Sequence, residues 1–261
     1  MRIVRFTPGP DAGLGQDPLF GVLEDDATIS IISGDPIYSG IQKTAAKIEL
    51  NKVRLLAPII PRSKVVCVGK NYADHAAEMG GVVPDEPIIF LKPNTSVIGP
   101  NDTIVWPDMS ERIDHEAELA IVIGRICKDV PVERVNDVIF GYTIANDVTA
   151  RDLQKKDGQW TRAKGFDTFC PIGPWIDTDF VPGTQKITAT IAGEVKQSAQ
   201  ISDMIFDVPT IINFVSRVMT LLPGDIILTG TPAGIGPMVA GEKATIAIEG
   251  LGELTNKLSA R

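Results

Sequence analysis

Two glutamates separated by one residue stand at the start of an apolar run, and they are the first sign of chemistry in this sequence. Residues 114–124 read Asp-His-Glu-Ala-Glu-Leu-Ala-Ile-Val-Ile-Gly, and the apolar part is typical of a buried strand. Side chains alternate along a strand, so Glu116 and Glu118 point the same way, roughly 6 to 7 Å apart. Like charges this close repel each other and lose hydration, which predicts a positive group between them.

A third carboxylate, Asp147, follows the next apolar run, residues 138–145. Two strands with acidic ends can bring three carboxylates to one point. Ligands that are all oxygen suit a hard divalent cation such as magnesium, manganese or calcium. We therefore predict that Glu116, Glu118 and Asp147 bind a divalent metal. The alternative is a strand end at which both glutamates simply face water.

A histidine and a glutamate three residues apart form a candidate acid–base pair. Residues 72–79 contain good helix formers and end at two glycines, which predicts a short helix with His75 and Glu78 on one face. A carboxylate beside a histidine fixes the tautomer and stabilises the charged form, as general-base chemistry requires. Residues 80–87 hold two glycines and two prolines, a composition that suits a mobile lid. The alternative is an ordinary pair on a surface helix.

Two lysines and a glycine-rich loop are further candidates for anion binding. Lys92 ends a predicted strand that begins at Ile88, where it could bind a substrate carboxylate, and the alternative is a surface lysine. Lys164 lies in a polar stretch between aromatic residues and could balance the charge of the carboxylates. The loop 230–236 is rich in glycine, so its amides can approach an anion closely. It has neither the phosphate-binding-loop signature nor a dinucleotide-binding fingerprint.

Composition limits the class of protein. The chain has 261 residues, 25 basic and 33 acidic, and a net charge of −8, which argues against nucleic acid or an anionic membrane as the main partner. No segment approaches the roughly 20 consecutive apolar residues of a membrane helix, and no signal segment begins the chain, so we expect a cytoplasmic protein. Cys67, Cys127 and Cys170 are widely spaced and are predicted to be reduced core residues.

The order of apolar runs and turn signals predicts two domains. Residues 1–60 form a small structural domain of short strands, followed by a helix around residues 41–48, and residues 61–261 form the domain that carries the chemistry. In the second domain we predict a hairpin over residues 184–200 around Ala192-Gly193. A helix capped by Asp207 follows and runs to about Leu222.

Six segments in this order resemble the fumarylacetoacetate hydrolase family. The resemblance covers about residues 62–258, and together the segments are highly specific although each is weak alone. They are GKNYADHAAE at 69–78, FLKP at 90–93, DHEAE at 114–118, GYTIANDV at 141–148, AKGFD at 163–167 and LTGTPAGIG at 228–236.

The resemblance implies a fold, a metal site and an assembly. The fold is α+β, mainly β: a mixed β-sandwich roll, here with the small N-terminal domain, and the assembly is usually a homodimer. The metal is Mg²⁺ or Mn²⁺, and Glu116, Glu118 and Asp147 match its ligands. Lys164 matches a lysine beside the metal, and His75 and Glu78 match a pair on a lid helix. The positions that match substrate contacts are Lys92, Arg151, Gln154 and Thr231.

The chemistry implied is that of a small 2-oxo or enol carboxylate. A 2-oxo acid that chelates the cation forms a stabilised enolate when the neighbouring carbon–carbon bond breaks. Our first hypothesis is hydrolysis of an acylpyruvate, in which His75 and Glu78 activate water and pyruvate is released. The same site would support oxaloacetate decarboxylation or isomerisation of 2-hydroxyhepta-2,4-diene-1,7-dioate. A non-catalytic metal-stabilised binding protein is disfavoured, because His75, Glu78 and Lys164 are all present.

Overall fold

The computed structural model describes residues 1–260, and most of its regular structure is β-strand. The strands, in chain order, are β1 (Arg2–Pro8), β2 (Leu19–Leu23), β3 (Thr28–Ile32), β4 (Lys43–Glu49), β5 (Val53–Leu55), β6 (Val65–Gly69), β7 (Ile88–Lys92), β8 (Val97–Ile98), β9 (Thr103–Ile104), β10 (Ile113–His115), β11 (Ala117–Ile123), β12 (Ile139–Asn146), β13 (Thr149–Ala150), β14 (Cys170–Asp177), β15 (Lys186–Ile191), β16 (Glu194–Gln200), β17 (Ile226–Leu228), β18 (Gly236–Pro237), β19 (Lys243–Ile248) and β20 (Gly252–Leu258).

The helices are few and short. The α-helices are α1 (Pro36–Ser39), α2 (Ala73–Glu78), α3 (Arg151–Asp157), α4 (Thr161–Lys164) and α5 (Val208–Val218). The 3-10 helices are Pro10–Ala12, Leu50–Lys52, Asn94–Ser96, Val132–Asp137 and Ile201–Asp203. None of the helices formed by residues 1–260 combines the length and the apolar composition needed to cross a membrane.

The strands form three sheets. The largest has 12 strands, with the order β4-β3-β2-β1-β14-β12-β11-β17-β6-β7, and β5 and β8 pair with β1 and β14. A 5-stranded sheet has the order β16-β15-β19-β20-β9, and a 3-stranded sheet has the order β13-β10-β18. Most pairs are antiparallel, but β6 and β17 run parallel, so the large sheet is mixed. This architecture confirms the predicted α+β, mainly β sandwich.

Strand β11 lies in the middle of the large sheet and is buried on both faces. Leu119 and Ile121 pack into a core that also contains Ile187 and Ile246 of the 5-stranded sheet. Ala120 and Val122, on the opposite face, belong to a second core. This alternation explains why the strand is a continuous apolar run rather than a half-polar one.

The first strands extend the large sheet, because β1 pairs with both β2 and β14. They also enclose a small core of their own, to which Phe6, Ile29 and Ile48 contribute. A division of the chain near residue 60 stays a prediction.

The prediction of a helix around residues 41–48 is wrong. This segment is strand β4, antiparallel to β3, with Ile48 opposite Ile29. Pairing and burial of Ile48 outweigh the helix propensity of the Ala-Ala-Lys stretch, and the exposed lysines Lys43 and Lys47 suit an edge strand.

Several other local predictions are confirmed. Strands β15 and β16 form the predicted hairpin, in which Ala192 and Gly193 take left-handed φ values of 49° and 88°. Asp207 caps α5 by accepting a hydrogen bond from the amide of Thr210 at 2.9 Å. The helix ends at Val218, before the predicted end at Leu222.

The cysteine prediction holds in part. Cys67, Cys127 and Cys170 are all free thiols, as predicted. Cys67 and Cys170 are buried core residues, whereas Cys127 is only partly buried.

Asp225 fixes the turn that leads into β17. Its side chain is fully buried and accepts hydrogen bonds from the amide of Leu222 at 2.8 Å and from the amide of Lys64 at 3.2 Å. The Lys64 ammonium lies 2.6 Å from the same carboxylate. Because Lys64 immediately precedes β6, this carboxylate holds together the ends of two neighbouring strands.

We predict that Asp225→Ala lowers the free energy of unfolding by roughly 3 kcal/mol, because it leaves the Lys64 ammonium without its charged partner and two amides without their acceptor. Chemical denaturation measures the loss. Asp137→Ala is the control, because the Asp137 side chain is 52% exposed in its pair with Arg134 and should change stability by only about 0.5 kcal/mol. Equal losses in both variants would contradict the role of Asp225.

Candidate functional site

The register of two central strands brings the three predicted carboxylates together. Strands β11 and β12 are antiparallel, with Ala117 opposite Asn146, so the start of one lies beside the end of the other. The Asn146 side chain accepts a hydrogen bond from the amide of Glu116 at 2.9 Å, and the amide of Asp147 donates to the carbonyl of Glu116 at 2.9 Å. Glu116, Glu118 and Asp147 are buried, and one oxygen from each lies within 4.8 Å of the others.

Three buried cations surround two of these carboxylates. Lys164 donates to Glu116 at 2.7 Å and to Asp147 at 2.6 Å. Lys92 donates to the other oxygen of Asp147 at 2.6 Å, and Arg151 pairs with Glu116. Each of the two carboxylates therefore has two positively charged partners.

Glu118 has no such partner. It accepts a hydrogen bond from the amide of Gly230 at 2.6 Å, but no lysine or arginine among residues 1–260 forms an ion pair with it. Burial, together with the nearby charges of Asp147 and Glu116, raises the pKa of Glu118 well above its ordinary value.

The pKa shifts of the neighbouring Glu116 and Lys164 favour the charged form of each group. Burial alone would raise the pKa of Glu116, but Lys164 and Arg151 hold the pKa of that carboxyl below its ordinary value. Burial would likewise lower the pKa of Lys164, but Asp147 and Glu116 raise it. The charged forms of Lys164 and Glu116 are therefore favoured together, whereas the charged form of Glu118 is disfavoured.

The donor set fits a divalent cation. All three candidate ligands offer carboxylate oxygen, which hard cations prefer, and a cation here would supply the positive charge that Glu118 lacks. The structure thus brings together the predicted ligands in a buried acidic triad able to bind a metal.

The candidate acid–base pair lies on α2. The Nδ1 atom of His75 is 3.1 Å from Glu78, whose carboxylate also accepts from the amide of Gly234 at 3.1 Å. An ionised carboxylate only accepts hydrogen bonds, so Nδ1 of His75 carries the proton and Nε2 keeps a free lone pair. His75 is 5% exposed, and Glu78 is anchored on one side by the helix and on the other by the glycine-rich loop. The anions that this loop binds are therefore the protein's own Glu78 and Glu118.

Gln197 orients a hydroxyl at the site, although no local sequence pattern predicted a role for this residue. Its Oε1 accepts from the amide of Ala117 at 2.9 Å, and its Nε2 donates to the carbonyl of Pro232 at 2.7 Å. These two backbone groups fix which end of the amide is oxygen. The same Nε2 lies 2.8 Å from the Thr231 hydroxyl, which therefore accepts and keeps its own proton free to donate elsewhere.

Eight of the ten predicted site residues line one cavity: His75, Glu116, Glu118, Asp147, Arg151, Gln154, Lys164 and Thr231. Of the other two, Glu78 contacts His75, and Lys92 is fully buried with its ammonium on Asp147 and on the carbonyl of Val148. Residues to which the sequence assigned no role complete the wall: Val68, Gly69, Lys70, Met79, Phe90 and Trp160.

Two aromatic rings form an apolar part of the wall. Phe90 and Trp160 pack edge to face with their ring centroids 5.1 Å apart, and the ammonium of Lys164 lies 5.1 Å from the Phe90 centroid. A site with one apolar side and one ionic side suits a small, partly apolar carboxylate.

Comparison with known proteins identifies the family. The family described as "Fumarylacetoacetate (FAA) hydrolase C-terminal" matches residues 64–259. The chain belongs to the fumarylacetoacetate hydrolase family. A second family, described as "Rv2993c-like, N-terminal", matches residues 1–58.

Two relatives show how similar the sequence is to other proteins. Protein Rv2993c of Mycobacterium tuberculosis is 60% identical over 226 residues, which cover 85% of this chain and 83% of that protein. The mitochondrial oxaloacetate tautomerase FAHD1 of Arabidopsis thaliana is 47% identical over 198 residues, which cover 74% of this chain and 89% of that protein.

Solved structures of the family superpose well. A 5-carboxymethyl-2-hydroxymuconate delta-isomerase from Mycobacterium smegmatis has a TM-score of 0.91 at 48% identity, over 100% of both chains. A fumarylpyruvate hydrolase from Pseudomonas aeruginosa, solved with Mn²⁺ and pyruvate, has a TM-score of 0.73 at 33% identity, over 80% of this chain and 92% of that one. This family of enzymes thus includes hydrolases, isomerases and tautomerases on one fold.

The uneven charge compensation of the acidic triad predicts opposite effects of two matched substitutions. In the presence of a chelator, Glu118→Gln should raise the melting temperature, because it removes a buried carboxyl whose charged form is disfavoured, while a side-chain oxygen can still accept from Gly230. Glu116→Gln should lower it, because Lys164 and Arg151 lose a charged partner. At about 2 to 4 °C per kcal/mol for a chain of this size, both shifts are measurable by calorimetry.

Adding Mg²⁺ or Mn²⁺ should stabilise the unmodified protein and neither variant. A fall in melting temperature for Glu118→Gln without metal would show that Glu118 is already compensated by the protein.

Proposed function

We propose that this protein is a divalent-cation-dependent hydrolase that cleaves acylpyruvate-type 2,4-dioxo acids to pyruvate and a carboxylic acid. The observation that carries the proposal is that His75, oriented by Glu78, lines the same cavity as the three clustered carboxylates. A family member described as a fumarylpyruvate hydrolase, solved with Mn²⁺ and pyruvate, supports the substrate class.

Glu116, Glu118 and Asp147 would hold Mg²⁺ or Mn²⁺. When bound, the cation would supply Lewis-acid polarisation of the 2-oxo acid and stabilise the negative charge of the departing pyruvate enolate. Lys164 donates a hydrogen bond to both Glu116 and Asp147, and together with Arg151 it holds the pKa of Glu116 below its ordinary value. The Lys92 ammonium donates hydrogen bonds to Asp147 and to the carbonyl of Val148, so in this proposal Lys92 positions Asp147.

His75 serves as the base. Its free Nε2 takes a proton from water, and Glu78 stabilises the imidazolium that forms. The hydroxide attacks the carbonyl distal to the carboxylate, a new C–O bond forms, and the C–C bond to pyruvate breaks. The electron pair of that bond passes to the methylene carbon of pyruvate, which takes up a proton, and the other product leaves as a carboxylic acid.

Three residues of the cavity wall would bind the substrate. Thr231 can donate its hydroxyl proton, since Gln197 already occupies its acceptor side. Arg151 and Gln154 lie one helical turn apart on α3, 2.5 Å from each other, and both face the cavity. Together they present donors to the oxygens of a 2-oxo acid.

A second candidate is proton transfer without bond cleavage. Two relatives with 47% and 48% identity are named an oxaloacetate tautomerase and a 5-carboxymethyl-2-hydroxymuconate delta-isomerase. On the same site, His75 would carry a proton between oxygen and carbon or between two carbons, and no water would be consumed. Oxaloacetate decarboxylation is a further alternative that also needs no water.

The test is a set of parallel assays of the purified protein with Mg²⁺, with Mn²⁺ and after chelation. Pyruvate release from acetylpyruvate reports hydrolysis, the ultraviolet absorbance of enol-oxaloacetate reports tautomerisation, and carbon dioxide release reports decarboxylation. We expect metal-dependent pyruvate release from acetylpyruvate. Metal-dependent loss of the enol signal without any cleavage of acetylpyruvate would overturn hydrolysis in favour of the second candidate.

The role of His75 yields a separate prediction. His75→Ala should lower kcat for hydrolysis by roughly 100-fold or more, whereas the stabilisation by Mg²⁺ should remain, because His75 is not a candidate ligand. Asp74→Asn is the matched control, since Asp74 is an exposed acid on the same helix and should leave kcat unchanged. Loss of the metal-induced stabilisation in His75→Ala would contradict this separation of roles.

A further inference from the structure

We propose that Lys70 is a specificity-determining residue, which binds a second carboxylate at the far end of the substrate. The inference deepens the proposed function, on which it rests, by naming dicarboxylic 2-oxo acids as the preferred class. It starts from the cations of the cavity wall. These are Lys70, Arg151 and Lys164, and only one of the three has no carboxylate partner.

The uncommitted cation is Lys70. Lys164 is bound to Glu116 and Asp147, and Arg151 is bound to Glu116 and Asp114. Among residues 1–260, no carboxylate forms an ion pair with Lys70, and its ammonium has no hydrogen-bond partner. An anionic group of a ligand can therefore pair with Lys70 without breaking an existing interaction.

The backbone holds Lys70 in a special conformation. Its φ is +56°, in the left-handed region that non-glycine residues rarely adopt. The next residue, Asn71, is fully buried and fixes the loop by donating to the carbonyls of Phe206 at 2.9 Å and Thr229 at 2.7 Å. The direction in which Lys70 leaves the chain is thus set by the surrounding fold.

The ammonium of Lys70 lies beside Gly81. A Cβ atom at position 81 would be 2.6 Å from Nζ of Lys70, so the ammonium rests against the backbone of this glycine. Gly81 follows α2, the helix that carries His75 and Glu78, and its amide donates to the carbonyl of Ala76 at 3.0 Å. Lys70 and the candidate base are therefore held by the same short segment of chain.

Charge selects the ligand group. The other two cations of the cavity wall, Arg151 and Lys164, are already paired with carboxylates of the protein, whereas Lys70 is not. A 2-oxo acid whose acyl chain ends in a second carboxylate would place that group on Lys70 and its reacting carbonyl near His75. A charge-assisted hydrogen bond of this kind is stronger than one between neutral groups.

Two acids of equal length test the proposal: 2,4-dioxoheptanedioate, which ends in a carboxylate, and 2,4-dioxoheptanoate, which ends in a methyl group. Replacement of Lys70 by Met should lower kcat/KM for the diacid by roughly 10- to 100-fold and leave the value for the monoacid within about twofold. Lys70→Arg should retain most of the preference for the diacid.

Gly81→Ala provides an independent test, because it keeps the charge of Lys70 but moves its ammonium. As a single substitution, Gly81→Ala should weaken the preference for the diacid. Added to Lys70→Met, it should have no further effect. A solvated surface lysine would give equal losses for both acids, or none, and either result would overturn the proposal.

Binding separates failure of this proposal from failure of the proposed function. Calorimetric titration of both acids into His75→Ala protein with Mg²⁺ measures the preference for the diacid without turnover. A preference that disappears with Lys70→Met supports the role of Lys70 even if the protein hydrolyses neither acid. Equal affinities for the two acids would reject it, whether or not hydrolysis is observed.

Discussion

The structure around this site depends on the cost of burying three carboxylates in the middle of a sheet. Buried charges persist only when other charges and hydrogen bonds compensate them. Here the compensation comes from separate elements: Lys92 ends β7, Arg151 begins α3 and Lys164 ends α4. Each of these cations would be as costly to bury alone as the acids are. The positions of two short helices and one strand end are therefore coupled to the acid cluster.

The compensation of the buried carboxylates is incomplete at Glu118. Glu116 and Asp147 have two cationic partners each, whereas Glu118 receives only the amide of Gly230. A site whose charges were fully balanced by the protein would gain little from a metal. One with an unpaired buried carboxylate is less stable when empty and gains most when a cation binds.

The sequence predicted those parts of the site that depend on local periodicity and on the order of motifs. The alternation through Glu116, Glu118 and Ala120 follows from strand geometry alone, and β11 confirms it. Features that depend on distant pairing were missed. Gln197 is separated from its partner Ala117 by 80 residues along the chain. No local sequence feature distinguishes it from the exposed residues of its strand.

The wrong helix prediction at residues 41–48 has the same origin. The segment that became β4 is short and has ambiguous local propensity, so its partner β3 decides its structure. The position of Lys92, at the end of a strand beside a turn, predicted a substrate contact, and that role stays a prediction. Only the three-dimensional structure shows that Asp147 lies within reach of its ammonium, at 2.6 Å.

The arrangement separates the electrostatic part of the site from the part that can choose a reaction. The acid cluster and its cations are built into the core, with side chains that are almost completely buried. His75, Glu78 and Lys70 instead lie on one segment between β6 and β7, anchored by Asn71 and by the contact of Glu78 with Gly234. Under the proposed function, substitutions in this segment would change proton transfer or the preferred end group of the substrate without altering the buried charges. One fold can thus support the hydrolase, isomerase and tautomerase reactions for which its relatives are named.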